Sequence, residues 1–341
     1  MNITTLRSDH IYRKVAQAAP EDKLELFRNE MMGPFMGQWK IQQIPFRAQE
    51  PNGFDVVTFN SMMHRSPDEI TPEISSEIEW ISSDSFWCEC EEAIRESLCL
   101  FVEHGIRLPV SDYIFTIQLG KPENRSLVIN EGYSGFGGIP GYIWGTLLPN
   151  AYTVPRMKVA LTHESNHNVR YQFIRWNPNV NLGELIVSEG LAESFATYRF
   201  GEEWLGPWVA KTEAETLNQR IKPVLRERLQ VTGFDQITPY LYGDEIAKLQ
   251  NYQPANMPYC AGYACGYHLI QYYLKQTGKT IFEATITPAD QILEEVKGFW
   301  EEETIINGLR YRSNFFAQYG HEDFADFLYE AIMHNLGQSV Q

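Results

Sequence analysis

Positive charge is in short supply in this chain. Its 28 lysines and arginines stand against 44 aspartates and glutamates, a net charge of −16. Phosphates of a nucleic acid or an anionic membrane surface would be repelled by that balance, so neither is expected as a partner. No apolar run reaches the roughly eighteen residues that a membrane span needs. The first ten residues, Met1 to His10, lack a charged stretch followed by an apolar one, so no leader is expected. Cysteine is sparse: Cys88, Cys90, Cys99, Cys260 and Cys265 are odd in number and do not have the spacing of a zinc knuckle. Free thiols in a reducing cytosol are the expectation, and with them a cytoplasmic location. Internal repeats and low-complexity linkers are absent. What remains, 43% apolar and 21% charged residues, is the composition of a folded globular protein. The 341 residues suffice for one large domain or two lobes.

Histidine is also rare, with eight in the chain, yet two of them fall in Leu161-Thr-His-Glu-Ser-Asn-His167. On a helix His163 and His167 share one face, about 6 Å apart along the axis, and can aim both imidazoles at one metal ion. Zinc accepts such nitrogens and tolerates an open coordination position. Glu164 would lean over the same cleft and take a proton from water that the metal has acidified. A third ligand is required, and a carboxylate can complete the set. Glu189 follows 22 residues after His167 (189 − 167) in Ile186-Val-Ser-Glu-Gly-Leu-Ala-Glu-Ser-Phe-Ala196. Gly190 beside it would let two helices approach closely. Glu193 lies one turn on and could accept the second N–H of a zinc histidine. One Zn²⁺ per chain is expected.

Helices are expected from Ser8 to about Ala18, from Pro20 to about Met32, and from Phe86 to His104 with Gly105 as C-cap. Residues 39–46 read as a loop. Strand-like runs follow at Tyr113–Gln118, Ser126–Ile129 and Tyr142–Leu148, with the glycines between Gly132 and Gly138 read as a turn. A phosphate loop is excluded there, because no G-K-[ST] follows. The strand from Tyr142 is expected at the sheet edge beside the metal cleft, where an extended peptide could add to it. The zinc helix should run from Val154 to about Phe173 and the glutamate helix from Leu182 to Phe200, with Arg170 free to pair with Glu193 or another cleft carboxylate. Further helices are expected near 208–218, 220–230, 261–276, 289–296 and 323–336. His64 and His104 read as ordinary surface or core residues.

Pro258-Tyr-Cys-Ala-Gly-Tyr-Ala-Cys-Gly-Tyr-His268 is a third constellation. Gly262 and Gly266 would make a smooth groove for a neighbouring helix, at about 1 kcal/mol each in lost helix propensity. Tyr263 and Tyr267 form a stripe beside it. Tyr263 is the better candidate to donate to a developing oxyanion, with His268 behind. The succession H-E-x-x-H-x-x-R, S-E-G-L-A-E and G-Y-x-x-G-Y-H-L-I, over roughly Ser134 to Ile281, resembles the bacterial YjaZ-like family of predicted zinc-dependent proteases, which has gluzincin features. That resemblance implies His163, His167 and Glu189 as zinc ligands and Glu164 as the base.

The expected fold is therefore α+β and zincin-like, with a small sheet, active-site helices and a mainly helical C-terminal lobe. Residues 1–130 would pack on a catalytic core at 131–285, followed by a helical extension at 286–341. The expected function is zinc-dependent hydrolysis of a peptide or protein. The alternatives are a zinc-stabilised binding or regulatory protein without turnover, and a zinc hydrolase of a small amide.

Overall fold

Alternation along Tyr142–Leu147 sends Trp144 to one face of a sheet and Gly145 to the other. The two residues meet different layers, and this organises the molecule. The structure, a computed structural model, describes residues 1–50, 53–306 and 315. Its sheet has four strands: β1 (Asn2–Leu6), β2 (Asp112–Leu119), β3 (Tyr133–Ile139) and β4 (Tyr142–Leu147), in the order β1-β2-β4-β3. The β1/β2 and β2/β4 pairs are parallel, and β3/β4 is an antiparallel hairpin with a register shift between Phe136 and Ile139. Strands from before and after residue 130 thus share one sheet. The architecture is mixed α and β, with a small sheet and predominantly helical content.

On the Trp144 face lies a layer of helices, α1 (Ser8–Gln17), α2 (Pro20–Phe27) and α3 (Met36–Gln42). Ser8 Oγ donates to the Ile117 carbonyl and Leu119 N donates to the Tyr12 hydroxyl, so α1 is tied to β2. Phe35 and Trp39 pack on Trp144 at ring-centroid distances of 4.1 and 5.4 Å, and the Trp144 indole N–H donates to Gln38 Oε1. The helix α3 takes up residues 39–42 of the expected loop, which holds at 43–46; burial of Trp39 against the sheet overrides its weak local pattern. The second expected helix is regular to Phe27 and continues to Met32 as a wider π turn.

The opposite face carries the long helices α4 (Asp84–Glu103) and, after the short α5 (Arg125–Ile129), α6 (Thr153–Phe173). Beneath Gly145 lie Met157 and Leu161 of α6, and a side chain at that position would displace the end of Met157. α7 (Leu182–Phe200) crosses α6, and α8 (Phe234–Leu241), α9 (Ala261–Thr277) and α10 (Ile281–Thr285) complete the packing. α5 corrects the expected strand at Ser126–Ile129. Asn124 Oδ1 caps it by accepting from Leu127 N, and a cap outweighs a four-residue apolar run.

Two further corrections bear on the site. The glycine-rich stretch is not a turn: it is β3. The edge beside the helices is β3 as well, since β4 lies between β2 and β3. Glycine is depleted in strands, so local propensity argues for a turn; close packing against α6 decides otherwise. The expected helices at 208–218 and 220–230 are broken into Pro207–Ala210, Ala214–Thr216 and Lys222–Arg226, with a π turn at Leu217–Ile221. The expected helix near 323–336 lies outside the described residues. All five cysteines are free thiols, and among the described residues no helix is long and apolar enough to cross a membrane.

Candidate metal centre

Asn150 Oδ1 accepts from the Tyr152 and Thr153 amides and launches α6, with Pro155 in its first turn where no N–H is missed. From there the helix runs unbroken through His163, Glu164 and His167, all buried. α7 brings Glu189 and Glu193 to the same place. Asn181 Oδ1 caps α7 by accepting from Glu184 N.

Three side-chain atoms converge. His163 Nε2 and His167 Nε2 are 3.1 Å apart, and Glu189 Oε2 lies 3.3 Å from the first and 3.2 Å from the second. Two ligands at about 2.0–2.1 Å from a tetrahedral zinc would stand about 3.3 Å apart. The donor set therefore has the size of one zinc coordination face, and these three residues form a group that could hold a metal ion.

The hydrogen bond behind His163 points its lone pair inward. His163 Nδ1 is 3.0 Å from Glu193 Oε2, a carboxylate that can only accept, so this nitrogen carries the proton and Nε2 presents its lone pair. His167 Nδ1 meets Ser188 Oγ at 3.1 Å, and the Tyr171 hydroxyl lies 3.0 Å from the same oxygen. Glu193 is held in turn by Gly206 N at 2.6 Å and the Trp208 indole N–H at 2.8 Å. The cluster favours positive charge. Without a metal, burial works against a charged His163, yet the Glu189 and Glu193 carboxylates, accepting from its ring nitrogens, outweigh it and raise the pKa. Burial likewise opposes the Glu189 carboxylate, and the two histidines overcome it and lower the pKa.

Comparison with known proteins adds the family. Residues 86–294, more than half of the chain, match the family described as "Predicted Zn-dependent protease (DUF2268)". The chain belongs to the DUF2268 family. It is also 36% identical to the uncharacterized protein YjfC of Bacillus subtilis (strain 168) over 297 residues, 86% of this chain and 98% of that protein. No solved structure matches it. The DUF2268 match begins at the start of α4, well before the three motifs, and so takes in β2, β3 and β4.

Within this DUF2268 chain, Glu164 lines the same cleft but is not one of the three converging residues, and its side chain lies against β3. A Cβ on Gly135 would overlap the Glu164 side chain and one on Gly137 its backbone carbonyl, so these glycines are what lets the edge strand lie against the helix. Burial pushes the Glu164 carboxyl up, and the neighbouring imidazoles pull it back in part. Asn168, one residue past the second histidine, staples the hairpin down. Its amide donates to the carbonyls of Gly137, Ile139 and Tyr142 and its oxygen accepts from Gly141 N. Nothing in the spacing marks Asn168, Ser188, Gly206 or Trp208 as members of the site, because their partners are distant in sequence.

Arg170 is not a cleft residue. It is fully buried, with Nε and Nη2 on Glu184 Oε1 and Nη1 on the carbonyls of Thr285 and Thr287. Its contact is with the first turn of α7, not with Glu193, nine residues further along (193 − 184). Tyr263 lines the cleft, 5.6 Å ring to ring from Tyr242 and 6.4 Å from Trp208. Tyr267 turns away toward Glu202, and His268 packs beside it. His64 is buried between the Asn60 carbonyl and Thr146, and His104 stacks on Phe282.

Proposed function

We propose that this protein is a zinc metallopeptidase of gluzincin type. His163, His167 and Glu189 hold one zinc ion, and Glu164 is the general base. The observation that carries this reading is the triangle of donor atoms, 3.1, 3.2 and 3.3 Å on its sides, with Glu164 in the same cleft but outside it. When bound, the ion supplies a Lewis acid that polarises a carbonyl and brings the pKa of water toward about 7.

The chain's own residues do the rest. Glu164 is buried and held between the histidines and β3, so its pKa lies above that of an exposed carboxyl and it is a stronger proton acceptor. It takes a proton from the attacking water and delivers it to the leaving amine. Glu193 keeps the His163 proton on Nδ1. Tyr263 offers its hydroxyl to the oxyanion, with Tyr242 beside it. β3 is the edge on which an extended peptide would lie. A binding module has no use for a buried carboxyl that ligates nothing, which is why hydrolysis is preferred to a purely structural zinc.

Protein purified without chelator should carry about one zinc per chain. Glu164→Gln should keep that zinc and the thermal stability while hydrolysis of a peptide library falls by about 10²–10⁴-fold. Cleavage that persists in this variant and survives chelation would discard the mechanism.

A further inference from the structure

Large apolar side chains that stay exposed in a folded protein are informative when they cluster. Four of them, Ile41, Phe136, Trp176 and Phe234, line the same cleft of about 710 Å³ that holds His163, Glu164, His167 and Glu189. Their exposure is substantial: Trp176 is 43% and Phe234 50% accessible. On one side the rings form a continuous series leading outward from the donor triangle. His167 stacks on Tyr171 at 6.2 Å, Tyr171 meets Trp176 edge-on at 5.6 Å, and Trp176 stacks on Phe234 at 6.4 Å. Three separate elements supply this wall: the last turns of α6, the connection before α7, and the start of α8.

The charges of the cleft are equally selective. Among the described residues no lysine or arginine lines it. A peptide's terminal carboxylate is ordinarily captured by a guanidinium, an ammonium or a nest of backbone amides; here it would instead meet Glu164 and Glu189. Neither carboxylate is spare for a terminal ammonium. Glu189 is taken by both histidines, and Glu164 is wedged against β3. A cleft without an anchor for either chain end suits a bond in the interior of a peptide.

We propose that the cleft selects an internal peptide segment carrying an aromatic or large aliphatic side chain next to the scissile bond, and that Trp176 and Phe234 are the specificity-determining residues that receive it. The proposal rests on the hydrolase reading for the reaction, but not for the binding. An aromatic side chain laid along the wall buries apolar area on both partners and stacks on rings already held in place by their neighbours.

The test uses full-length zinc-loaded protein and internally quenched peptides that differ at one central position, Phe against Ala, Asp and Lys. The Phe-over-Ala ratio of kcat/KM should be large and should fall by about 10–100-fold in Trp176→Ala and in Phe234→Ala. Trp176→Phe should restore most of it, which a folding defect would not allow. A preference for Asp or Lys, or release of single residues from either chain end, overturns the proposal. A second arm measures binding of the Phe and Ala peptides to Glu164→Gln by calorimetry. Preferential binding of the Phe peptide that is lost in Glu164→Gln/Trp176→Ala, with no turnover in wild type, upholds the cleft assignment and defeats the hydrolase reading. Equal binding of both peptides defeats the cleft assignment itself.

Discussion

Gly190 and Gly266 meet backbone to backbone where α7 crosses α9: a Cβ on Gly190 would overlap the Gly266 carbonyl, and one on Gly266 would overlap the carbonyl of Ile186. Gly262, one turn earlier, is pressed against Leu241 of α8 instead. The crossing sits directly beside Glu189, so the distance between the two helices also sets the position of that carboxylate. Alanine at either crossing glycine would push α7 off α9.

Gly190→Ala should therefore lose stability despite alanine's advantage of about 1 kcal/mol in helix propensity. The expected net loss is about 1–3 kcal/mol in urea unfolding, with weaker zinc binding by chelator competition. Gly33→Ala is the control. A Cβ there meets only the Arg28 carbonyl at 3.9 Å, and its φ of −56° is helical. It should be near neutral, its gain in helix propensity offset by the crowding of a Cβ before Pro34. If Gly190→Ala were as harmless as Gly33→Ala, the helix crossing would be looser than described.

Glu189 and Glu193 differ in what they touch, and zinc content should separate them. Glu189→Ala removes one of the three converging atoms and should abolish stoichiometric zinc. Glu193→Ala leaves those atoms in place but frees the His163 tautomer, so zinc affinity should fall by about 10–100-fold. It also strands Gly206 N and the Trp208 indole N–H, at about 1–3 kcal/mol of stability for each donor that finds no water. Metal analysis alongside thermal melts reads both effects. Loss of zinc in Glu193→Ala with retention in Glu189→Ala would reverse the two assignments.

His64 offers a test of pH dependence away from the metal cluster. Burial holds its pKa down at about 4, against a backbone hydrogen bond that raises it, from the ordinary 6.5. The unfolded chain thus takes up the proton first as pH falls. The stability due to neutral His64 is complete above about pH 6.5 and is lost between there and about pH 4, at up to about 1.4 kcal/mol per unit. His64→Asn keeps a donor for the Asn60 carbonyl and cannot titrate. The difference in unfolding free energy between wild type and this variant should move by about 3 kcal/mol in the variant's favour across that window, with other groups cancelling. A flat difference, or an NMR titration of His64 near pH 6.5, would refute the buried assignment.

Local sequence determined the long helices. Residues 182–200 and 86–103 repeat apolar side chains at three and four, and α7 and α4 occupy them nearly end to end. The pairing of His163 with His167 is legible for the same reason: four residues on a helix make one turn, whatever surrounds it. Glu189 was marked out only by its motif. What brings its carboxylate within 3.3 Å of both imidazoles is the packing of α7 across α6, with α9 pressed on α7 at the Gly190–Gly266 contact. Tertiary packing also decided that Gly135 and Gly137 belong to a strand, because α6 leaves no room for a Cβ there. It turned Arg170 to Glu184 rather than Glu193, and it brought Gly206 and Trp208 to the back of the site. Periodicity is a property of neighbours along the chain; a close approach between backbones depends on two segments at once and leaves only an unexplained glycine in each.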